Sequence, residues 1–319
     1  MKTKRIELYD IAKGILISMV VVGHIITMSY PVSAIIKTFI YTFHVPAFFI
    51  ITGMLTKATL VDEYKFIPFV KKKFKSLLLP YLLFEFVAAI SQMLFLGMDY
   101  LNIKGALINT LLVYCNAGAT WFLPTLFIAE IIYYWILLIN KKYGKILSLF
   151  LVVLCGGVSF VLPKTHFFIV VARCLLGVGF VWIGMFCAKS VVAKCIANRR
   201  LGIGSCLSSF VVTLIIASAN GKVGMNLCEF NNPILYVLGS VSGTYFILFL
   251  AHFVHSRILL YIGKNSLVIL GTHLNVIVII EKLFLGGGGE LKIDLWIPIL
   301  LIVIIFEILF IRAYNKAIQ

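Results

Sequence analysis

Long apolar runs recur along the chain, separated by short polar stretches, and this pattern sets the first reading. A helix needs about 20 mostly apolar residues to cross the hydrocarbon core of a bilayer. Runs of that kind lie near residues 8–30, 34–56, 76–97, 121–139, 146–162, 167–188, 201–218, 233–254, 265–285 and 295–313. The pattern predicts an all-α polytopic integral membrane protein with about ten transmembrane helices and no sizeable water-soluble domain. Segment 98–119 is only half-apolar, with Leu107, Leu111, Leu112 and Val113, and reads as a re-entrant or interfacial helix. No internal repeat or separating linker is visible, so residues 1–319 read as one membrane domain.

The start of the chain has two readings. Met1-Lys2-Thr3-Lys4-Arg5 before an apolar stretch resembles a signal peptide, and Val32-Ser33-Ala34 resembles a cleavage site. The apolar run is longer than a signal core, however, and contains Asp10, Lys13 and His24. It is therefore expected to be an uncleaved first transmembrane helix.

Composition changes this picture little. The chain is 62% hydrophobic and 13% charged, against about 25% charged in soluble domains. A formal charge of +16 would suggest nucleic acid if it were not so unevenly placed along the chain. Alternate connections hold Lys2, Lys4, Arg5; then Lys57, Lys65, Lys71, Lys72, Lys73, Lys75; then Lys141, Lys142, Lys145. The same series continues with Lys189, Lys194, Arg199, Arg200; Arg257, Lys264; and Arg312, Lys316. The connections between them hold only Lys37, Lys104, Lys164, Lys222 and Lys292. Twenty cations against five is a positive-inside bias that predicts both termini in the cytoplasm. Gly286 to Gly289 then form a flexible connection on the outer side. The seven cysteines are scattered, with no C-x-x-C pair, and indicate neither a zinc site nor a disulfide framework.

Ionisable groups inside spans are expensive and mark candidate function. Asp10, Lys13 and His24 share a stripe roughly 60° wide at about 100° per residue on the first helix. Asp10 and Lys13 neutralise each other near its cytoplasmic end, and His24 lies further out. The second span carries Phe43-His44-Val45-Pro46, and Pro46 predicts a kink beside His44. Glu130 and His273 come out near mid-membrane with His44 at about 1.5 Å per residue, which predicts a central polar chamber. The alternative for each histidine is a packed, hydrogen-bonded helix contact. Glu85, Arg173 and Glu307 are further charges inside spans that pairing with neighbours would explain. His252 and His255 have the spacing of a metal pair, but the sequence places no third ligand, and no metal is expected. No G-x-S-x-G, P-loop or H-E-x-x-H motif occurs. The residues alone leave two classes open, a membrane enzyme and a transporter with a histidine-lined interior.

The run Asp10-Ile-Ala-Lys13-Gly14…Gly23-His24 resembles the opening helix of membrane acyltransferase family 3, nearest the branch named for fucose 4-O-acetylase. The resemblance continues at Phe43-His44-Val45-Pro46-Ala47-Phe48-Phe49…Gly53 and at the lysine cluster leading to Leu79-Pro80-Tyr81. It runs on through Trp121-Phe122-Leu123…Leu126-Phe127 to Ile262-Gly263-Lys264-Asn265-Ser266…His273. It implies transfer of an acyl group, usually acetyl from acetyl-CoA, to a hydroxyl of a cell-surface or lipid-linked glycan, in a bacterial cytoplasmic membrane. His24 corresponds to the family's essential first-helix histidine. Lys13 stands where many members carry an arginine, keeping the charge and losing the bidentate fork.

The expected site follows from residues and resemblance together. His24 acts as general base, with His44, His273, Asp10 and Glu130 as its catalytic companions. Lys13, Lys71, Lys72, Lys73 and Lys75 hold the phosphates of acetyl-CoA as point charges. The rival expectation is a polyprenyl-linked glycan flippase or a proton-coupled transporter, since buried Glu and His also suit proton relays. An ion channel has little support, because no filter-like ring or repeat is visible.

Overall fold

A computed structural model describes residues 2–26, 31–57, 59–96, 100–113, 118–285 and 296–318. In chain order the helices are α1 (Lys2–Ile25), α2 (Pro31–Leu55), α3 (Leu60–Glu63), α4 (Phe66–Lys73), α5 (Leu79–Leu96), α6 (Tyr100–Leu111) and α7 (Phe122–Tyr143). They continue with α8 (Lys145–Val161), α9 (His166–Ile183), α10 (Lys189–Ala197), α11 (Arg199–Asn220), α12 (Pro233–Phe253), α13 (Arg257–Lys264), α14 (Ser266–Leu285) and α15 (Trp296–Ile318). Single π-helical stretches, Phe74–Leu78 and Gly184–Ala188, join α4 to α5 and α9 to α10. Among the described residues no strand forms, only one bridge between Gly224 and Glu229.

A helix stands at each of the ten predicted positions. Seven helices among the described residues are long and apolar enough to cross a membrane, or eight if the bent pair α13–α14 counts as one span. The α8 helix is shorter, at 17 residues. The protein is thus an all-α polytopic membrane protein. The lysine cluster read as a connection is itself helical, because the third span begins at Phe66 and carries Lys71, Lys72 and Lys73 in the last turn of α4. The half-apolar segment 98–119 contains α6, whose Thr110 carbonyl accepts from the Tyr81 hydroxyl at 2.7 Å. Gly286 to Gly289 lie outside the described residues.

The chain groups into two units. The first comprises Met1–Ile40, Tyr81–Trp121 and Val254–Gln319; the second comprises Tyr41–Pro80 and Phe122–Phe253. In the first unit α13 and α14 meet at a bend of 84°, where a plain connection was expected ahead of the ninth span. The Ser256 side chain caps α13 by accepting from the Leu259 N–H at 3.2 Å, and the Asn265 amide donates to the Tyr261 carbonyl at 2.8 Å. Such caps satisfy end groups that would otherwise be orphaned in a short helix. Glycines bring α13 onto α1. A Cβ on Gly14 would overlap the Leu259 carbonyl oxygen, and one on Gly263 would overlap the Asp10 carbonyl oxygen. Small residues let membrane helices approach backbone to backbone.

The second unit uses the same device. A Cβ on Gly53 would overlap the Val181 carbonyl, and one on Gly184 the Ile50 carbonyl, which locks α2 to the end of α9. The α2 helix runs unbroken through Pro46. Proline has no N–H, so the Thr42 carbonyl four residues back loses its helical donor. The Ser240 hydroxyl of α12 approaches that carbonyl oxygen at 3.1 Å, sharing its one hydrogen with the Tyr236 carbonyl at 2.7 Å. A freed carbonyl in a membrane helix needs such a partner from protein. Gly239 and Gly243 flank Ser240 and open the space for Thr42 and Phe43.

Candidate functional site

The first unit gathers part of the expected site on α1 and α14. The Lys13 ammonium lies 2.7 Å from the Asp10 carboxylate, one turn apart, with Asp10 buried and Lys13 half-buried. Further along α1, the His24 ring lies 5.3 Å from the His273 ring, centroid to centroid, at a 50° tilt. His273 is fully buried, and its Nδ1 sits 2.7 Å from the Ile269 carbonyl oxygen. A carbonyl only accepts, so Nδ1–H donates and the Nε2 of the neutral ring keeps its lone pair. Among the described residues that Nε2 has no hydrogen-bond partner. His273 thus presents one fixed tautomer with its ring against that of His24.

The other buried charges of this unit have polar company. The Glu85 carboxylate accepts from the hydroxyls of Thr120 and, at 3.3 Å, Thr110. Both oxygens of Glu307 lie 2.8–2.9 Å from the Thr272 hydroxyl, next in sequence to His273. In the second unit Arg173 donates to the Asn226 carbonyl at 3.3 Å. Each of the three thus has a neutral hydrogen-bond partner, a threonine hydroxyl or a backbone carbonyl.

The remaining expected residues belong to the second unit. His44 is buried, with its ring 4.8 Å from that of Tyr41. Glu130, buried on α7, forms an ion pair with Lys73, and its Oε2 has no hydrogen-bond partner among the described residues. Glu130 and Lys73 both line a cavity of about 450 Å³. Its lining also includes Lys57, Glu63, Tyr64 and Lys72, with Leu55, Phe69 and Leu126. Lys72 donates to the Tyr64 hydroxyl at 3.1 Å and lies 4.5 Å from that ring's centre. Lys57 binds both Glu63 oxygens at 2.9 and 3.1 Å, and Thr59 donates to Glu63 at 2.8 Å. The hydrogen bond from Lys57, with that from Thr59, holds the Glu63 carboxyl below its ordinary range. Lys71 and Lys75 are exposed and do not line the cavity.

Of the expected donor-site lysines, the structure thus brings Lys72 and Lys73 to one cavity. It adds Lys57, Glu63 and Tyr64, which the sequence reading did not single out. Their signal was the run of mixed charge from Lys57 to Lys65, but only the folded chain shows which carboxylate meets which lysine.

The Lys73–Glu130 pair carries a stability prediction. Removing one partner of a buried ion pair strands the other charge, at a cost of about 2–5 kcal/mol. Lys73→Met should lower the thermal stability of the detergent-solubilised protein by that order, and Lys73→Met combined with Glu130→Gln should recover most of it. A Lys73→Met protein that melts with the wild type would show that the pair contributes nothing.

Fold and sites define a polytopic helical membrane protein that holds paired imidazoles in one unit and a lysine–carboxylate cavity in the other. The model of a family described as an acyltransferase domain matches residues 6–312. The chain belongs to that family, membrane acyltransferase family 3, and is an acyltransferase. No curated protein and no solved structure shows significant similarity to it.

Proposed function

We propose that the protein is a membrane O-acyltransferase that moves an acetyl group from cytoplasmic acetyl-CoA to a hydroxyl of a cell-surface or lipid-linked glycan. The observation that carries this reading is the His24–His273 pair, 5.3 Å between ring centres, on the helix that also holds the Asp10–Lys13 ion pair. In the proposed reaction His24 takes the acceptor hydroxyl proton as the oxygen attacks the thioester carbonyl. The C–O bond forms, the C–S bond breaks, and the CoA sulfur leaves with a proton returned to it, so the base is regenerated. His273, its Nδ1–H tied to the backbone, holds a fixed tautomer with its ring packed beside that of His24. Lys72 and Lys73 supply positive charge for the donor phosphates, on the side that the positive-inside bias predicts to be cytoplasmic.

The test is transfer of labelled acetyl from acetyl-CoA to glycan in membrane vesicles that contain the protein. The expected result is an alkali-labile ester on the glycan with one CoA thiol released per ester. Intact, folded protein that gives no CoA-dependent transfer with any candidate glycan acceptor would overturn the reading and favour glycan movement across the membrane.

A further inference from the structure

The second unit's cavity has features that phosphate binding by a lysine cluster does not explain. Three ammonium groups line it, from Lys57, Lys72 and Lys73, and two carboxylates neutralise two of them. Lys73 is spent on buried Glu130, and Lys57 on Glu63 at the rim. Lys72 rests on a neutral phenol, that of Tyr64. The hydroxyls of Thr52 and Thr56, also in the lining, donate to the Phe48 and Thr52 carbonyls of their own helix at 2.9 Å. The cavity's charged donors are therefore the three ammonium groups, and the wall between them is aliphatic and aromatic. A volume of about 450 Å³ falls within the roughly 300–1,000 Å³ of small-molecule sites. Such a lining matches a ligand with anionic groups at one end and a long, weakly polar arm at the other.

We infer that this cavity receives the phosphate end of the acyl-CoA donor, and that Glu63 sets donor affinity by occupying Lys57 until a phosphate replaces it. The inference rests on the proposed function and deepens it. It moves donor binding to Lys57, Lys72 and Lys73, and it gives an acidic residue an antagonistic role. Glu63 is suited to that role by position. Its side chain is 38% exposed and it is held by Lys57 and Thr59 from the adjoining turn, so it exchanges Lys57 to an incoming anion without unpacking the core. Glu130 differs, being buried, and it positions Lys73 at the cavity wall. The two carboxylates leave the lining with a net charge of +1, from three lysines and two glutamates. Removing the Glu63 charge raises it to +2, which favours a polyanion.

The test is direct binding to the purified, detergent-solubilised full chain. Three probes are compared: acetyl-CoA, adenosine 3′,5′-bisphosphate as phosphates without the arm, and acetyl-pantetheine as the arm without phosphates. Glu63→Gln keeps an oxygen for Lys57 and Thr59 to bond, so folding is not at stake. It should tighten acetyl-CoA and bisphosphate binding by about threefold at low salt, the scale of an exposed ion pair. The gain should vanish near 1 M salt, where the Debye length is about 3 Å. Acetyl-pantetheine should bind equally well to both proteins. Lys57→Met should weaken acetyl-CoA binding, and Glu63→Gln should gain less in that background than in the wild type. If the wild type binds acetyl-CoA but Glu63→Gln binds it no more tightly, the antagonist role is overturned and the donor reading stands. Equal tightening for acetyl-pantetheine would overturn the role as well. No CoA binding by the folded wild type would overturn both.

Discussion

Replacing His24 with glutamine should lower acyl transfer by about 10²–10⁴-fold, the typical contribution of a positioned general base, while membrane insertion and solubilised yield stay near normal. Glutamine matches much of the imidazole's size and hydrogen bonding, but its amide cannot accept and return a proton. The loss should therefore fall mainly on kcat, with donor binding kept. His273→Gln should be milder. The ring beside His24 is lost, but the base itself remains, so activity should fall and stay measurable. The order of the two losses matters because the rings are neighbours and either could be read as the base. His273 has its Nδ1–H committed to Ile269 and is fully buried, whereas His24 is half-buried on the helix that carries the ion pair. Labelled acetyl transfer by each variant decides it. Full transfer by a folded His24→Gln protein would end the base assignment, and a larger loss in His273→Gln would move the role to His273.

The second large effect is steric. At Gly263 an added methyl meets the Asp10 carbonyl oxygen and the Gly14 nitrogen, and at Gly14 it meets the Leu259 carbonyl. All are backbone atoms, so no side chain can rotate aside and the helices themselves must part. Gly263→Ala should cost on the order of 1–3 kcal/mol, the usual scale of overpacking, and Gly263→Val more. Because α1 carries Asp10, Lys13 and His24, the same change should reduce transfer without touching a reacting group. Gly179→Ala is the comparison, since nothing lies within 4 Å of a Cβ built there. Alanine favours helix over glycine by nearly 1 kcal/mol, so this variant should be as stable as the wild type or slightly more so. Thermal unfolding of both solubilised variants gives the contrast. Equal melting of Gly263→Ala and Gly179→Ala would show that α1 and α13 are not packed backbone to backbone.

Much of this protein is written locally and was therefore open to reading in order along the chain. Span positions follow from runs of apolar residues, because hydrocarbon rewards each one regardless of its tertiary partners. Periodicity put Asp10, Lys13 and His24 on one stripe, and the structure forms the Asp10–Lys13 pair there. The family was legible too, since its motifs are short and ordered, and the family model covers residues 6–312.

Partners distant in sequence were not legible, because packing selects them and composition does not. Nothing near Pro46 announces that the freed Thr42 carbonyl finds Ser240, 198 residues away. The bend of 84° between α13 and α14, and the glycine crossing that seats α13 on α1, likewise depend on backbone contacts between remote segments. Charge is the clearest case. The sequence lists five lysines between Lys65 and Lys75 without saying which carboxylate meets which. A lysine stem is long and flexible, so its partner is fixed by whichever helix lies within reach. Tertiary structure alone gave Lys73 to Glu130, 57 residues away, and set His24 beside His273.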